Sequence, residues 1–370
     1  MAPMTFPGQG QNTQGQNTQD LRTRVELGYW DGEGIGPEIT PPTRRAVDLA
    51  LAAHGVTVDW TPLLLGEEAF VTTGQVVPTE TSALVNGLDG WVLGPHDNVS
   101  YPAEARGQRN PSAALRLAAD LWANIRPVRA LPGSLTPDLD VVVVRENTEG
   151  MYADRNMAVG SGDLRVTPDL ALAVGVFTRE KIARITEYAA AVALDRGGVL
   201  TVAHKSNVLT QTSGMYLEEA ERVAASTGVT LVPVHIDALC ADLVTRPGRH
   251  RTIVAENMFG DILSDLTAAL GGSLGTAGSI NAGDRQVMAQ AAHGSAPDIA
   301  GYGVANPAGL MLSAAQLLHH LGFGAAGDAL AAAVRGALVR RPTGDVAGVT
   351  QGATTAEFSQ VVFALLDDPV

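Results

Sequence analysis

Two aspartates, Asp261 and Asp265, stand four residues apart in the stretch Glu256-Asn257-Met258-Phe259-Gly260-Asp261-Ile262-Leu263-Ser264-Asp265. On a helix that spacing stacks both carboxylates on one face. Bare carboxylates so placed repel each other unless a cation lies between them, and hard oxygen donors suit Mg²⁺ or Mn²⁺. Solvated acids at a helix start, favoured by the helix dipole, would show the same spacing. The pattern predicts a short turn over 257–260 that leads into an apolar helix.

Three arginines, Arg116, Arg126 and Arg145, fall at the ends of predicted core elements. The chain has 25 basic against 39 acidic side chains and a net charge of -14, so grouped arginines are informative. They suit a bidentate carboxylate clamp; ordinary ion pairing with nearby Asp and Glu is the alternative. Lys205 follows a predicted buried strand, in His204-Lys205-Ser206-Asn207. Desolvation there would lower its pKa and suit a general base, although a surface lysine after a strand is the more frequent arrangement. His293-Gly294-Ser295-Ala296-Pro297-Asp298-Ile299-Ala300-Gly301 has no regular period and reads as a loop that binds a ligand or merely connects.

The elements that must position these residues alternate strand and helix. Strands are predicted at 25–30, 90–93, 124–129, 141–144, 170–177, 199–203, 231–236 (ending at Asp237) and 252–255. Helices are predicted at 39–54, 111–123, 178–195 (capped by Thr178), 306–321 and 325–338, with 153–170 irregular and polar. That alternation is an α/β pattern. Glycines at 32, 34 and 36 do not make G-x-G-x-x-G, so the usual dinucleotide fingerprint is absent.

With 370 residues, 45% of them hydrophobic, the chain can bury the cores of about two domains. The negative charge argues against a nucleic-acid or anionic-membrane partner. One cysteine, Cys240, permits no internal disulfide and fits a reducing compartment. No apolar run approaches the roughly 20 residues that span a bilayer. Residues 1–23 are rich in Gly, Gln, Asn and Thr, lack a signal-peptide pattern over the first 20, and read as a disordered tail; the expected location is cytoplasmic.

Taken together, Gly34-Ile35-Gly36-Pro37-Glu38, Asn124-Ile125-Arg126-Pro127, Arg145 to Tyr152, His204 to Leu209, Gly260 to Asp265 and His293 to Gly301 resemble the β-decarboxylating dehydrogenase family. That family contains isocitrate, 3-isopropylmalate, homoisocitrate and tartrate dehydrogenases, and the similarity covers roughly 24–365. The resemblance implies an α/β isocitrate/isopropylmalate dehydrogenase-like fold, not the classical Rossmann fold. A large cofactor-binding domain would come from both chain ends, 24–121 and 273–370, with a smaller substrate and dimerisation domain, 122–272, inserted. It also implies a homodimer with shared active sites and an intersubunit arm over 153–170.

The implied reaction oxidises a hydroxy di- or tricarboxylate with NAD⁺ and then releases CO₂. By resemblance Asp237, Asp261 and Asp265 would bind Mg²⁺ or Mn²⁺, with Asp237 supplied by the partner subunit. Arg116, Arg126 and Arg145 would hold carboxylates, Asn207 would join the substrate site, Lys205 would take the hydroxyl proton and Tyr152 would protonate the enol carbon. His293 to Ile299 and Asn306 would bind the cofactor, with Asp298 on the adenosine ribose favouring NAD⁺ over NADP⁺.

Several residues depart from the family pattern. Glu33 stands where Asp is usual, Gln290 where Glu is common, and Leu93 where isocitrate enzymes carry lysine. At the specificity positions the chain has Arg109, Asn110, Pro111, Ser112 and Ala113, with Arg106 nearby, in place of the acid and two leucines of isopropylmalate enzymes. These polar groups predict a 3-substituted malate with an anionic C3 group, such as isocitrate, homoisocitrate or a phosphonate analogue. Capping of the helix by Asn110 and a solvated Arg109 would be the structural alternative. A 3-isopropylmalate or tartrate/malate-type enzyme, or a non-catalytic regulatory subunit, are the other functional readings.

Overall fold

The computed structural model describes residues 22–105, 107–152, 162–346 and 351–367. Arg106, most of the amino-terminal tail and residues 153–161 of the expected arm lie outside the described residues. The chain divides into two compact units. Among the described residues, one comprises Asp120–Ala130 and Ser134–Gly271; the other comprises those up to Ala119, Leu131–Gly133 and those from Gly272 onward.

The first unit is built on five strands in the order Ala123–Arg129, Asp140–Glu146, Thr252–Ala255, Val199–His204, Thr230–His235. Only the first pairing is antiparallel. Val141, Val142, Val143 and Val144 are each 0% exposed, which explains their unbroken apolar run: an interior strand covered on both faces has no solvent side to mark. Val141 and Val143 share a core with Leu239 and Leu243 of the helix Ile236–Thr245 and with Phe259 and Leu263 of the helix Asn257–Gly271. Fully burying each such side chain contributes about 1.5–3 kcal/mol, so this layer fixes where Asp261 and Asp265 sit.

The second unit also has five strands, ordered Thr57–Pro62, Arg24–Trp30, Gly90–Leu93, Val287–Ala289, Ile280–Ala282. Only the last pairing is antiparallel. The helices Gly36–Ala52, Ala308–His320, Gly324–Arg340 and Thr355–Asp367 pack together and over these strands.

Several boundaries differ from the sequence expectations, for identifiable reasons. The expected turn at 257–260 is the first turn of the helix Asn257–Gly271. The Glu256 carboxylate accepts from the Met258 and Phe259 amides at 2.9 and 3.0 Å, and this cap starts the helix four residues early. Asp237 does not end a strand but lies in the first turn of Ile236–Thr245, where an acid complements the helix dipole. The helix expected over 111–123 stops at Ala118, because Asp120 adopts a left-handed φ of 43° before the strand Ala123–Arg129. Asp163–Thr167, expected to be irregular, is a strand paired antiparallel with Leu170–Ala173, which is itself shorter than the strand expected over 170–177. The short helices Gly66–Thr73 and Thr79–Val85 and the long helix Thr212–Thr227 were not anticipated. Among the described residues no helix is long and apolar enough to cross a membrane.

Candidate active site

Within the first unit, the stacked aspartates are met by two buried arginines. Arg126, 7% exposed, reaches Asp261 Oδ1 at 3.3 Å through Nη2 and Asp265 Oδ1 at 3.0 Å through Nη1. Its Nε donates to Asn124 Oδ1 at 2.7 Å and Nη1 to Ser264 Oγ at 2.8 Å. Arg145, 2% exposed, pairs through Nη1 with Asp261, and Tyr152 donates its hydroxyl to the other oxygen of the same carboxylate. Burial, reinforced by the nearby Arg126 charge, pulls the Arg145 guanidinium down to about 10, against the opposing pull of Asp261. Burial pushes the Asp265 carboxyl up, while Arg126 draws it back. Two carboxylates on adjacent helical turns, with Asp265 half exposed, are oxygen donors of the kind a divalent cation takes, and Asp261 meets arginines and Tyr152 in its place here.

Lys205 and Asp237 make a separate pair, with Nζ 2.5 Å from Oδ1. The lysine side chain is 25% exposed, so the fold gives it a carboxylate partner rather than a dry pocket. Its amide donates to Ser213 Oγ at 2.6 Å, fixing the turn after the strand Val199–His204. The Asp237 carboxyl is held below its ordinary value chiefly by the lysine hydrogen bond. Asp237 is not gathered with Asp261 and Asp265: no group of three or more His, Cys, Asp or Glu arranged to hold a metal occurs among the described residues. Asn207 is exposed.

In the second unit, Asn110 caps the helix Pro111–Ala118, its Oδ1 accepting from the Ala113 amide at 2.8 Å. The side-chain oxygen expected to face substrate is thus engaged with the helix. Ser112 Oγ donates to Gln290 Oε1 at 2.7 Å, and Arg116 Nη2 donates to the same oxygen at 3.1 Å. Arg109 is half-buried, one residue before the cap.

The loop 293–301 is held against the glycine turn. Ile35 donates its amide to Ser295 O at 2.9 Å, and a Cβ on Gly34 would lie 2.1 Å from that oxygen, so only glycine permits the approach. Ala296 takes a φ of 40°, a conformation costing about 1–2 kcal/mol for a residue with a Cβ. Gly294 faces open space, Asp298 is exposed, and His293 Nε2 is buried without a hydrogen-bond partner. Burial lowers the His293 pKa, against the Gly294 carbonyl, and so favours the neutral ring. Open backbone, an orphaned ring nitrogen and an exposed carboxylate suit a nucleotide. Asn306 accepts from the Ala308 amide at 2.9 Å and donates to Asp345. Glu33 uses its longer side chain to accept from the Glu67 amide and the Tyr101 hydroxyl, each at 3.0 Å.

Sequence reasoning passed over Asn124, Ser264 and Asn257 as site residues. Two had a readable signal. Asn124 is two residues from Arg126 on a strand, hence on the same face, and Ser264 is three from Asp261 on a helix.

A family model described as isocitrate/isopropylmalate dehydrogenase matches residues 26–362. The chain belongs to that family. It is 36% identical over 356 residues to a 3-isopropylmalate dehydrogenase of Leifsonia xyli, covering 92% of this chain and 98% of the relative. It is 38% identical over 341 residues to an isocitrate/homoisocitrate dehydrogenase of Thermus thermophilus, covering 91% and 97%. The solved isocitrate dehydrogenase from Methylococcus capsulatus matches with a TM-score of 0.84 and 32% identity, over 93% of this chain and 100% of that one. The fold is accordingly the α/β isocitrate/isopropylmalate dehydrogenase fold, and the chain is an oxidative, decarboxylating hydroxy-acid dehydrogenase.

Proposed function

We propose that this dehydrogenase uses NAD⁺ and Mg²⁺ or Mn²⁺ to oxidise and decarboxylate a 3-substituted malate whose C3 group is anionic. The observation that carries the substrate reading is the helix Pro111–Ala118. It sets Ser112 and Arg116 on the amide of Gln290, with Arg109 just before the cap, where an isopropyl group would need an apolar wall. Isocitrate, homoisocitrate and phosphonate analogues supply the matching charge. The relatives named 3-isopropylmalate dehydrogenase favour the second reading, an isopropylmalate substrate.

In this account Arg126 and Arg145 hold the substrate's carboxylates by charge-assisted bonds, and so does Arg116. Lys205, once its ammonium proton has left the pair with Asp237, is the base that accepts the hydroxyl proton during oxidation. Tyr152, whose hydroxyl already donates to Asp261, delivers a proton to the carbon that has lost CO₂. A divalent metal held by Asp261 and Asp265 would supply Lewis-acid polarisation, and NAD⁺ held by the loop 293–301 would supply the hydride acceptor. Asp261 and Asp265 are the metal's ligands from one protomer. Among the described residues Asp237 is not gathered with Asp261 and Asp265, which is compatible with a homodimer in which the partner's Asp237 completes the metal set. Exposed Leu164, Val166, Leu170 and Leu172 on the paired strands 163–167 and 170–173 suit such an interface.

The test compares isocitrate, homoisocitrate and phosphonomethylmalate with 3-isopropylmalate, then repeats the comparison with Arg109→Leu. An anionic substrate is expected to lead, and the variant to narrow that lead. A native preference for 3-isopropylmalate, or no change in Arg109→Leu, overturns the reading.

A further inference from the structure

Asn257 is 0% exposed and has every polar atom of its side chain engaged. Its Oδ1 accepts from Arg145 Nε at 2.9 Å and Arg145 Nη2 at 2.7 Å, and its Nδ2 donates to Glu149 O at 2.9 Å. Two of the three Arg145 nitrogens are therefore fixed by one neutral acceptor, and the third, Nη1, is the one on Asp261. Glycines on both sides leave room for this arrangement. A Cβ on Gly260 would lie 2.6 Å from Arg145 Cγ, and a Cβ on Gly150 would lie 3.1 Å from Asn257 Cβ. Asn257 thereby joins three pieces: the strand end that carries Arg145, the segment 149–152 that carries Tyr152, and the helix that carries Asp261 and Asp265.

We propose that Asn257 is a positioning residue for the reaction: it clamps Arg145 so that one guanidinium edge faces Asp261 and the charge stays available to a substrate carboxylate. Its amide is suited to this, because a carboxylate at 257 would add a second negative charge to an arginine that already meets Asp261. Groups that orient the residues contacting a metal or substrate typically cost 10–100-fold in affinity or activity when removed. The inference rests on the functional reading above for its kinetic consequence, and on geometry alone for the placement of Arg145.

The experiment uses the full chain with Asn257→Ala, and with Asn257→Asp as the variant that keeps the side-chain shape. Circular dichroism and thermal melts select conditions where each is folded. In the Ala variant the hydroxy-acid KM and the Mn²⁺ dissociation constant, the latter measured by calorimetric titration of the free protein, are each expected to rise by about tenfold or more. The NAD⁺ KM is expected to stay within about twofold, which a general loss of structure would not allow. In the Asp variant the hydroxy-acid KM is expected to rise similarly, through neutralised charge. A crystal structure of the Ala variant is expected to show Arg145 displaced from Asp261. Native KM and metal affinity in both folded variants, or an unmoved Arg145, overturn the inference. A native protein that binds no Mn²⁺ and turns over no substrate defeats the functional reading instead, and the Arg145 position then decides the inference alone.

Discussion

Arg116 Nη2 lies 3.1 Å from Gln290 Oε1, so a guanidinium meets a neutral amide oxygen. The pair is buried, Arg116 to 8% and Gln290 to 8% exposure. In low dielectric a carboxylate in that place would offset the arginine's charge directly. Gln290→Glu is therefore expected to lower kcat/KM for the best anionic substrate by about tenfold, about 1.4 kcal/mol, chiefly through KM. Steady-state kinetics of the variant checks this; an unchanged KM would separate Gln290 from substrate charge.

Asp261 receives Arg145, Arg126 and Tyr152 and shares its helical face with Asp265. Asp261→Asn removes one charged oxygen ligand from a hard-cation pair. Turnover and Mn²⁺ binding should both be lost while the far-ultraviolet circular dichroism stays native. Near-normal turnover in this variant, or full activity in excess EDTA, would remove the metal from the account.

Asp298 is exposed in the loop 293–301, where a 2′-phosphate on the adenosine ribose would meet a negative charge. NAD⁺ should exceed NADP⁺ by at least about tenfold in kcat/KM, about 1.4 kcal/mol. Equal use of the two cofactors would contradict the assignment, and Asp298→Ala should narrow the gap.

Glu256 links stability to pH. Burial raises its carboxyl above the ordinary 4.5, against the bonds from Met258 and Phe259. The folded state thus binds this proton more tightly than the unfolded chain, so the group adds stability as pH falls through its folded pKa. The gain is complete below about 4.5 and is lost again as pH rises. Glu256→Gln removes that dependence. Melting curves from pH 7 to pH 5 should show the native protein gaining on the variant as pH drops; parallel curves would mean that Glu256 does not titrate there.

Much of this was legible in the residues. The α/β alternation, the buried Val141–Val144 strand and the Asp261/Asp265 face follow from periodicity, because each element's apolar pattern matches its burial. The early start of the Asn257–Gly271 helix was not legible, since Glu256 caps it and glutamate is a weak cap signal. The helix Thr212–Thr227 was passed over although its Tyr216, Ala220, Val223 and Ala224 are buried at helical spacing. Asn257 could not be read as a clamp, because its partners Arg145 and Glu149 are more than 100 residues away in sequence. Gln290 was visible as a departure, yet its meeting with Ser112 and Arg116 appears only in the fold.

The account is tested most directly by measuring NADH and CO₂ together, per mole of hydroxy acid consumed, with Mn²⁺ and NAD⁺ and with isocitrate, homoisocitrate, phosphonomethylmalate and 3-isopropylmalate in parallel. It predicts equal yields of NADH and CO₂, fastest with one of the three substrates whose C3 group is anionic, and none after EDTA. NADH without CO₂, metal-independent turnover, or 3-isopropylmalate as the fastest substrate would contradict it.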